Sequence, residues 1–177
     1  MSSPSPTLPA EKLRSEFDSS FAAPPSDRGQ DVEAFLTMRI ASTPYAMRLL
    51  DVTGFATART IAPLASTLPA LLGLAAVRGS LFPAYSLEAL LGYETAGAPP
   101  RWFALSGGSD PVALAFTQFE GHVLVSRSAR VPATGSHRAH IQEIVRSNGE
   151  VRGVIDVASL VQVIHQRVSA SKPPKER

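Results

Sequence analysis

Four residue groups in this chain could do chemistry. The histidines are His122, His137, His140 and His165. His137 and His140 stand three apart, the spacing at which two imidazoles on one helical turn could hold a metal, and Glu143 follows three residues later. There is no cysteine, and structural zinc needs four ligands and catalytic zinc three, so this set points to solvated histidines. Ser106-Gly107-Gly108-Ser109 has the look of a nucleophile or phosphate loop. It lacks the Lys-Ser/Thr of a phosphate loop and the spacing of a nucleophile elbow, and its glycines suit a tight hairpin turn. Asp51, Asp110 and Asp156 show no pairing, and Asp156 reads as a helix cap. The fourth group is a single residue, Arg78, between the apolar stretches Ala75-Ala76-Val77 and Leu81-Phe82-Pro83. An arginine there must reach solvent, pair with an acid, or bind a partner's carboxylate or carbonyl groups. No catalytic constellation is present, and the chain reads as a binding protein without enzyme activity, metal or cofactor.

Composition narrows the partners. The chain has 177 residues, a net charge of +2 and a pI near 9.3. Its basic residues are mostly arginines scattered along the chain; no basic run marks a nucleic-acid face. No apolar run approaches the ~20 residues of a membrane span, so a soluble cytoplasmic protein is expected, without membrane insertion. Cysteine-free composition accords with a reducing compartment.

The elements that must position Arg78 are short strands. Residues 1–31 carry Pro4, Pro6, Pro9, Pro24 and Pro25 among polar residues and read as a disordered arm. From Glu33 the apolar residues alternate, predicting a strand to Ile40, a turn at Ala41–Pro44 and a return strand from Tyr45 to Leu49. Leu50–Phe55 reads as a helical turn and Thr57–Ile61 as extended. Leu71 to Gly92 reads as strand, Arg-Gly turn, strand and a short capped helix. Residues 94–100 form a linker. Trp102–Leu105 and Val112–Phe116 predict a second hairpin around the Ser-Gly-Gly-Ser turn. Further strands are expected at Gly121–Ser128 and Val151–Ile155, with a weaker signal over His137–Val145. Asp156 caps a C-terminal helix over 156–166, and 167–177 is a tail ending in Lys172-Pro173-Pro174-Lys175-Glu176-Arg177.

Two halves of this pattern repeat. Phe35-Leu36-Thr37-Met38 and Tyr45-Ala46-Met47 match Trp102-Phe103-Ala104-Leu105 and Val112-Ala113-Leu114 at an offset of 67 residues. Ser86-Leu87-Glu88-Ala89-Leu90-Leu91 matches Asp156-Val157-Ala158-Ser159-Leu160-Val161 at an offset of 70. Each half amounts to about five short strands closed by a helix, which can curl into a small barrel. Each alone is marginal in size. The expectation is all-β with short helices: two SH3-like five-stranded barrels, subdomain 1 over about 32–93 and subdomain 2 over about 101–155.

The segment Leu72-Gly73-Leu74-Ala75-Ala76-Val77-Arg78-Gly79-Ser80-Leu81-Phe82-Pro83-Ala84-Tyr85-Ser86-Leu87, with the Phe35 strand, the Tyr45-Ala46-Met47 return strand and Gly153-Val154-Ile155-Asp156, resembles the CheW-like coupling domain of bacterial chemotaxis systems over about residues 32–166. The resemblance implies two intertwined SH3-like barrels and no enzyme activity. It implies a non-enzymatic scaffold in cytoplasmic receptor clusters. The partners would be a methyl-accepting chemoreceptor, a CheA-type histidine kinase or another CheW-like protein. It places Arg78 at the receptor-facing groove with Val52, Gly54, Phe55 and Val77. Gly54 stands where the family usually has a glutamate that pairs with the turn arginine, and Ser86 replaces a common aspartate. These departures imply a divergent member, including an accessory paralogue that binds receptor and not kinase. An unrelated β-barrel module for peptides or small ligands is the different-class alternative.

Overall fold

The structure is a computed structural model and describes residues 32–94, 97–133 and 139–170. The expectations for the arm, for His137 and for the tail beyond Ala170 lie outside the described residues. No helix among the described residues is long and apolar enough to cross a membrane.

Twelve strands form two six-stranded sheets. In chain order they are β1 (Val32–Ile40), β2 (Thr43–Arg48), β3 (Val52–Thr57), β4 (Ile61–Ala62), β5 (Leu71–Val77), β6 (Ser80–Ser86), β7 (Trp102–Ser106), β8 (Ala113–Phe116), β9 (Gln118–Ser126), β10 (Arg130–Pro132), β11 (Ile141–Ser147) and β12 (Glu150–Ile155). A short helix α1 (Leu87–Leu90) follows β6, and α2 (Val157–Ala170) follows β12. One sheet runs β10-β11-β12-β2-β1-β9 and the other β4-β5-β6-β8-β7-β3. The two orders become identical when six is added to each strand number of the second sheet modulo the repeat, so every strand has a counterpart in the other half. The fold class expected from the sequence is thus present: five longer strands per sheet, each with a very short sixth, β4 or β10, at one edge. Neither sheet closes its hydrogen bonding, and β3, β4, β9 and β10 are edges.

The duplication is visible in the register. Val154 pairs with Ala46 and Ile155 with Met47, in parallel; Ala84 pairs with Ala113 and Tyr85 with Leu114, also in parallel. These are the same contacts displaced by the two offsets read from the sequence. The first strand needs a correction. Leu36 faces Met47 in the first half, whereas Ala104 faces Leu114 in the second, so β1 matches β7 one residue further along than expected. A one-residue slip turns every side chain to the other face. The true match puts Phe35 on Phe103, both fully buried.

The subdomain boundaries are corrected too. Each sheet takes a hairpin from the other half of the chain: β1–β2 joins β9–β12, and β7–β8 joins β3–β6. A cut at 93–101 would divide both sheets. The reason is the parallel pairing of β2 with β12 and β8 with β6, because parallel neighbours require a long crossover rather than a tight turn.

Three cores result. Phe35, Ala46, Val125, Val145 and Val154 fill one barrel. Ala75, Val77, Ala84, Phe103, Leu105, Ala113 and Ala115 fill the other. Between them lies a larger shared core including Met38, Met47, Tyr85, Leu87, Leu114, Ile155, Val157 and Leu160. The helices are capped in the same way: the Ala89 backbone N–H donates to Ser86 Oγ at 3.3 Å, and that of Ser159 to Asp156 Oδ1 at 3.0 Å. Helix α2 runs to Ala170, past the expected end at 166. Leu49–Asp51 forms the expected helical turn, a 3-10 turn, but β3 already begins at Val52.

Candidate functional site

Arg78 and Gly79 form the two-residue turn between β5 and β6, with Val77 opposite Ser80. Both have positive φ, 50° and 84°, the pattern of a type I′ hairpin turn. The counterpart turn between β11 and β12 is Asn148-Gly149, with φ of 51° and 76°. Asn-Gly is the preferred pair for this geometry, because asparagine visits the left-handed region readily and a long side chain does not. One half of the molecule therefore uses the favourable residue and the other holds an arginine at a conformational cost of about 1 kcal/mol. Arg78 is exposed, and among the described residues no carboxylate pairs with it. Strand β6 then presents Leu81, 68% exposed, so the turn offers a fixed cation beside an apolar side chain.

Val52, Gly54 and Phe55 lie together on β3, and the strand bulges between Val52 and Gly54 against β7. The Thr53 hydroxyl donates to the carbonyls of Leu105 and Ser106, at 3.3 and 3.1 Å, and holds the bulge. Phe55 is half-buried in an aromatic cluster that the sequence reading did not anticipate. Its ring stacks on Trp102 at 5.1 Å and tilts against Phe119 at 4.7 Å and Phe116 at 6.2 Å. Phe119 comes from β9 of the other sheet, so this cluster bridges the two sheets. Just before β3, Leu50 is 85% exposed and Leu49 44%. Leu50 and Asp51 line a cleft of about 340 Å³ with Gly107, Val157 and Val161. Burial there raises the Asp51 carboxyl above its ordinary range, against the pull of Arg48.

The five residues expected at one groove fall into two groups. Val52, Gly54 and Phe55 sit on an edge strand, and Val77 and Arg78 sit at the far end of β5, with β7, β8 and β6 between them in the hydrogen-bonded order. Val77 is buried in the barrel core; it supports the turn from behind and has no face to offer a partner. At Gly54, an added Cβ would come within 2.9 Å of Leu105 Cδ1. Leu105 thus fills the space beside Gly54.

The charges missed by sequence reading are gathered in one sheet. Arg39 and Arg152 each pair with both Glu120 and Glu150. Arg48 and Arg130 each pair with both Glu33 and Glu143. Each set is a closed ring of alternating charge joining β1 or β2 to strands of the C-terminal half. Arg152 is 7% exposed in its side chain. Burial pushes the Glu120 carboxyl up, but the hydrogen bonds from Arg152 and Arg39 outweigh it and hold the group below its ordinary range. The sequence carries no signal for these rings, because Glu33, Arg39 and Arg48 meet Glu120, Arg130, Glu143, Glu150 and Arg152 only once distant strands are paired. His140 is tied to the second helix cap: its Nδ1 lies 2.7 Å from Ser159 Oγ, and its carbonyl accepts the Asp156 N–H at 2.9 Å.

Exchanged hairpins and paired six-stranded sheets define an all-β fold that carries a charged turn beside exposed apolar surface. The profile of the CheW-like domain matches residues 34–165, and the chain belongs to that family. Among solved structures, it is similar to the scaffolding protein TtCheW from Thermoanaerobacter tengcongensis. The TM-score is 0.62 at 15% identity, over 70% of this chain and 88% of that one. A comparison with curated proteins finds no match. Family membership sets aside the alternative of an unrelated β-barrel module.

Proposed function

We propose that this protein is a non-enzymatic adaptor of a chemosensory system, working in the cytoplasm at receptor clusters. It binds the cytoplasmic tip of a methyl-accepting receptor through the Arg78 turn, with the apolar surface of β3, Val52 and Phe55, as a second contact. The observation that carries the reading is the left-handed conformation of Arg78. A hairpin that needed only to turn would have Asn-Gly, as its counterpart does; retaining arginine at a cost in stability marks a side chain kept for what it contacts. Family membership and the scaffold described for TtCheW supply the kind of partner. Arg78→Glu is expected to weaken a receptor pull-down at physiological salt; unchanged capture would remove Arg78 from the site.

Gly54 favours a narrower form of this reading, in which the protein is an accessory adaptor that holds receptor and binds a CheA-type kinase weakly or not at all. Leu105 occupies the space beside Gly54, and Arg78 has no carboxylate partner among the described residues. Kinase capture as tight as that of a standard coupling protein would contradict this narrower form and leave the receptor reading intact.

A further inference from the structure

The Phe55 group on β3 and the Arg78 turn are separated by β7, β8 and β6 in the hydrogen-bonded order, but the chain joins them the other way round. Strand β3 leaves Phe55 and ends at Thr57, opposite Trp102. The Ala58 N–H then donates to the Arg101 carbonyl at 2.8 Å. Three residues on, Ile61 pairs with Ala75 of β5. Ala58 and Ile61 both pack against the core that holds Val77, the residue that opens the Arg78 turn. Arg59 stands between those two anchors. Arg101 and Arg59 therefore mark the path from the aromatic cluster to Arg78.

Both arginines are exposed. Neither they nor Arg78 pairs with a carboxylate among the described residues. In the other sheet, by contrast, Arg39, Arg48, Arg130 and Arg152 each hold two glutamates. The positions equivalent by strand register are Glu33 for Arg101, Ser128 for Arg59 and Asn148 for Arg78. Neither the strands nor the turn therefore require a cation at any of the three. Like charges gathered without an acid repel one another, and a guanidinium fork pairs with a carboxylate through two hydrogen bonds. Apolar surface accompanies the charge: Leu81 is 68% exposed and faces the exposed Ala76 across the hairpin. Cations beside apolar side chains suit a protein surface rather than a nucleic-acid backbone. We propose that Arg59 and Arg101 extend the Arg78 site into one arginine-lined surface, running on to β3, that takes a partner surface bearing carboxylates. This rests on the receptor reading above, and the carboxylates are then those of the receptor tip.

The test is the association rate of a receptor cytoplasmic-tip fragment with the full chain, at low and at physiological salt. Arg59→Gln and Arg101→Gln are each expected to slow association at least about threefold and to flatten its salt dependence, with Tm unchanged. Neutralising the acidic residues of the fragment's tip should reproduce that loss and leave Arg59→Gln without further effect. Arg127→Gln with Arg146→Gln removes exposed charge from the other half and should leave the rate as it was; an equal loss there reduces the effect to net charge and overturns the proposal. Binding that Arg78→Asn weakens and that Arg59→Gln and Arg101→Gln leave unchanged overturns this extension while the receptor reading stands. A fragment that binds without regard to any of the three arginines overturns both. Competition by a single-stranded oligonucleotide that depends on Arg59 and Arg101, with the fragment's acids having no effect, assigns the surface to nucleic acid and overturns the carboxylate partner.

Discussion

At the scale of single residues, the two glycine-bearing turns separate folding from function. Arg78→Asn copies the Asn148 solution and should raise stability by about 0.5–1 kcal/mol, read as a higher Tm, even as it removes the charge. Gly73 makes the opposite point. Its φ of 141° and a Cβ that would sit 2.1 Å from the Ala62 carbonyl oxygen leave no room for any side chain. Gly73→Ala should cost about 3 kcal/mol or more, seen as a loss of soluble folded protein. His140 gives a pH dependence. Burial holds its imidazole below the ordinary value of 6.5, with Asp156 pulling the other way and Arg167 reinforcing the shift. The folded state therefore prefers the neutral ring, and its contribution is complete above 6.5 and declines as pH falls through 6.5 towards the lower folded value. His140→Asn, which also tolerates the φ of 67°, should flatten the Tm profile between about pH 7 and pH 5.

At the scale of elements, the charge rings staple the sheet that holds both the first and the last strand, β1 and β12. An exposed pair is worth little, but Arg152 is nearly enclosed and depends on Glu120 and Glu150. Glu120→Gln should destabilise by about 2 kcal/mol, because it leaves a buried guanidinium half-compensated. The same carboxyl is held below its ordinary value of 4.5, so its contribution is present at neutral pH and lost as acid carries the solution down through the folded value. The first strand, the Arg-Gly turn and both capped helices were legible in the sequence, since each depends on residues adjacent in the chain; the half-buried alternation expected of that strand was not found, because Phe35, Leu36, Thr37 and Met38 are all buried between two cores. The charge rings and the Phe55–Trp102–Phe119 cluster were not, because their members meet only after strands distant in sequence are paired. The slip in matching β1 to β7 has a related origin: apolar residues run together in Trp102–Leu105, and only the partner strand shows which of them face inward.

At the scale of the whole molecule, exchanged hairpins make the halves interdependent. Residues 32–94 expressed alone would lack β7 and β8 from one sheet and would present β1 and β2 without β12, so they should not fold. The described domain should unfold in one cooperative transition, with tryptophan fluorescence and far-UV circular dichroism superimposing; two separated transitions would contradict the exchange. The duplication also explains how one half could diverge. Both copies keep the turn, the cap and the core, while the Arg78 copy gives up turn stability for a charge. The most direct test is the affinity of a receptor cytoplasmic-tip fragment for the wild-type chain and for Arg78→Asn, measured by calorimetry with the Tm of each protein. The account predicts binding weakened at least about tenfold in a variant that melts no lower than the wild type. Equal affinity in that intact variant would contradict it.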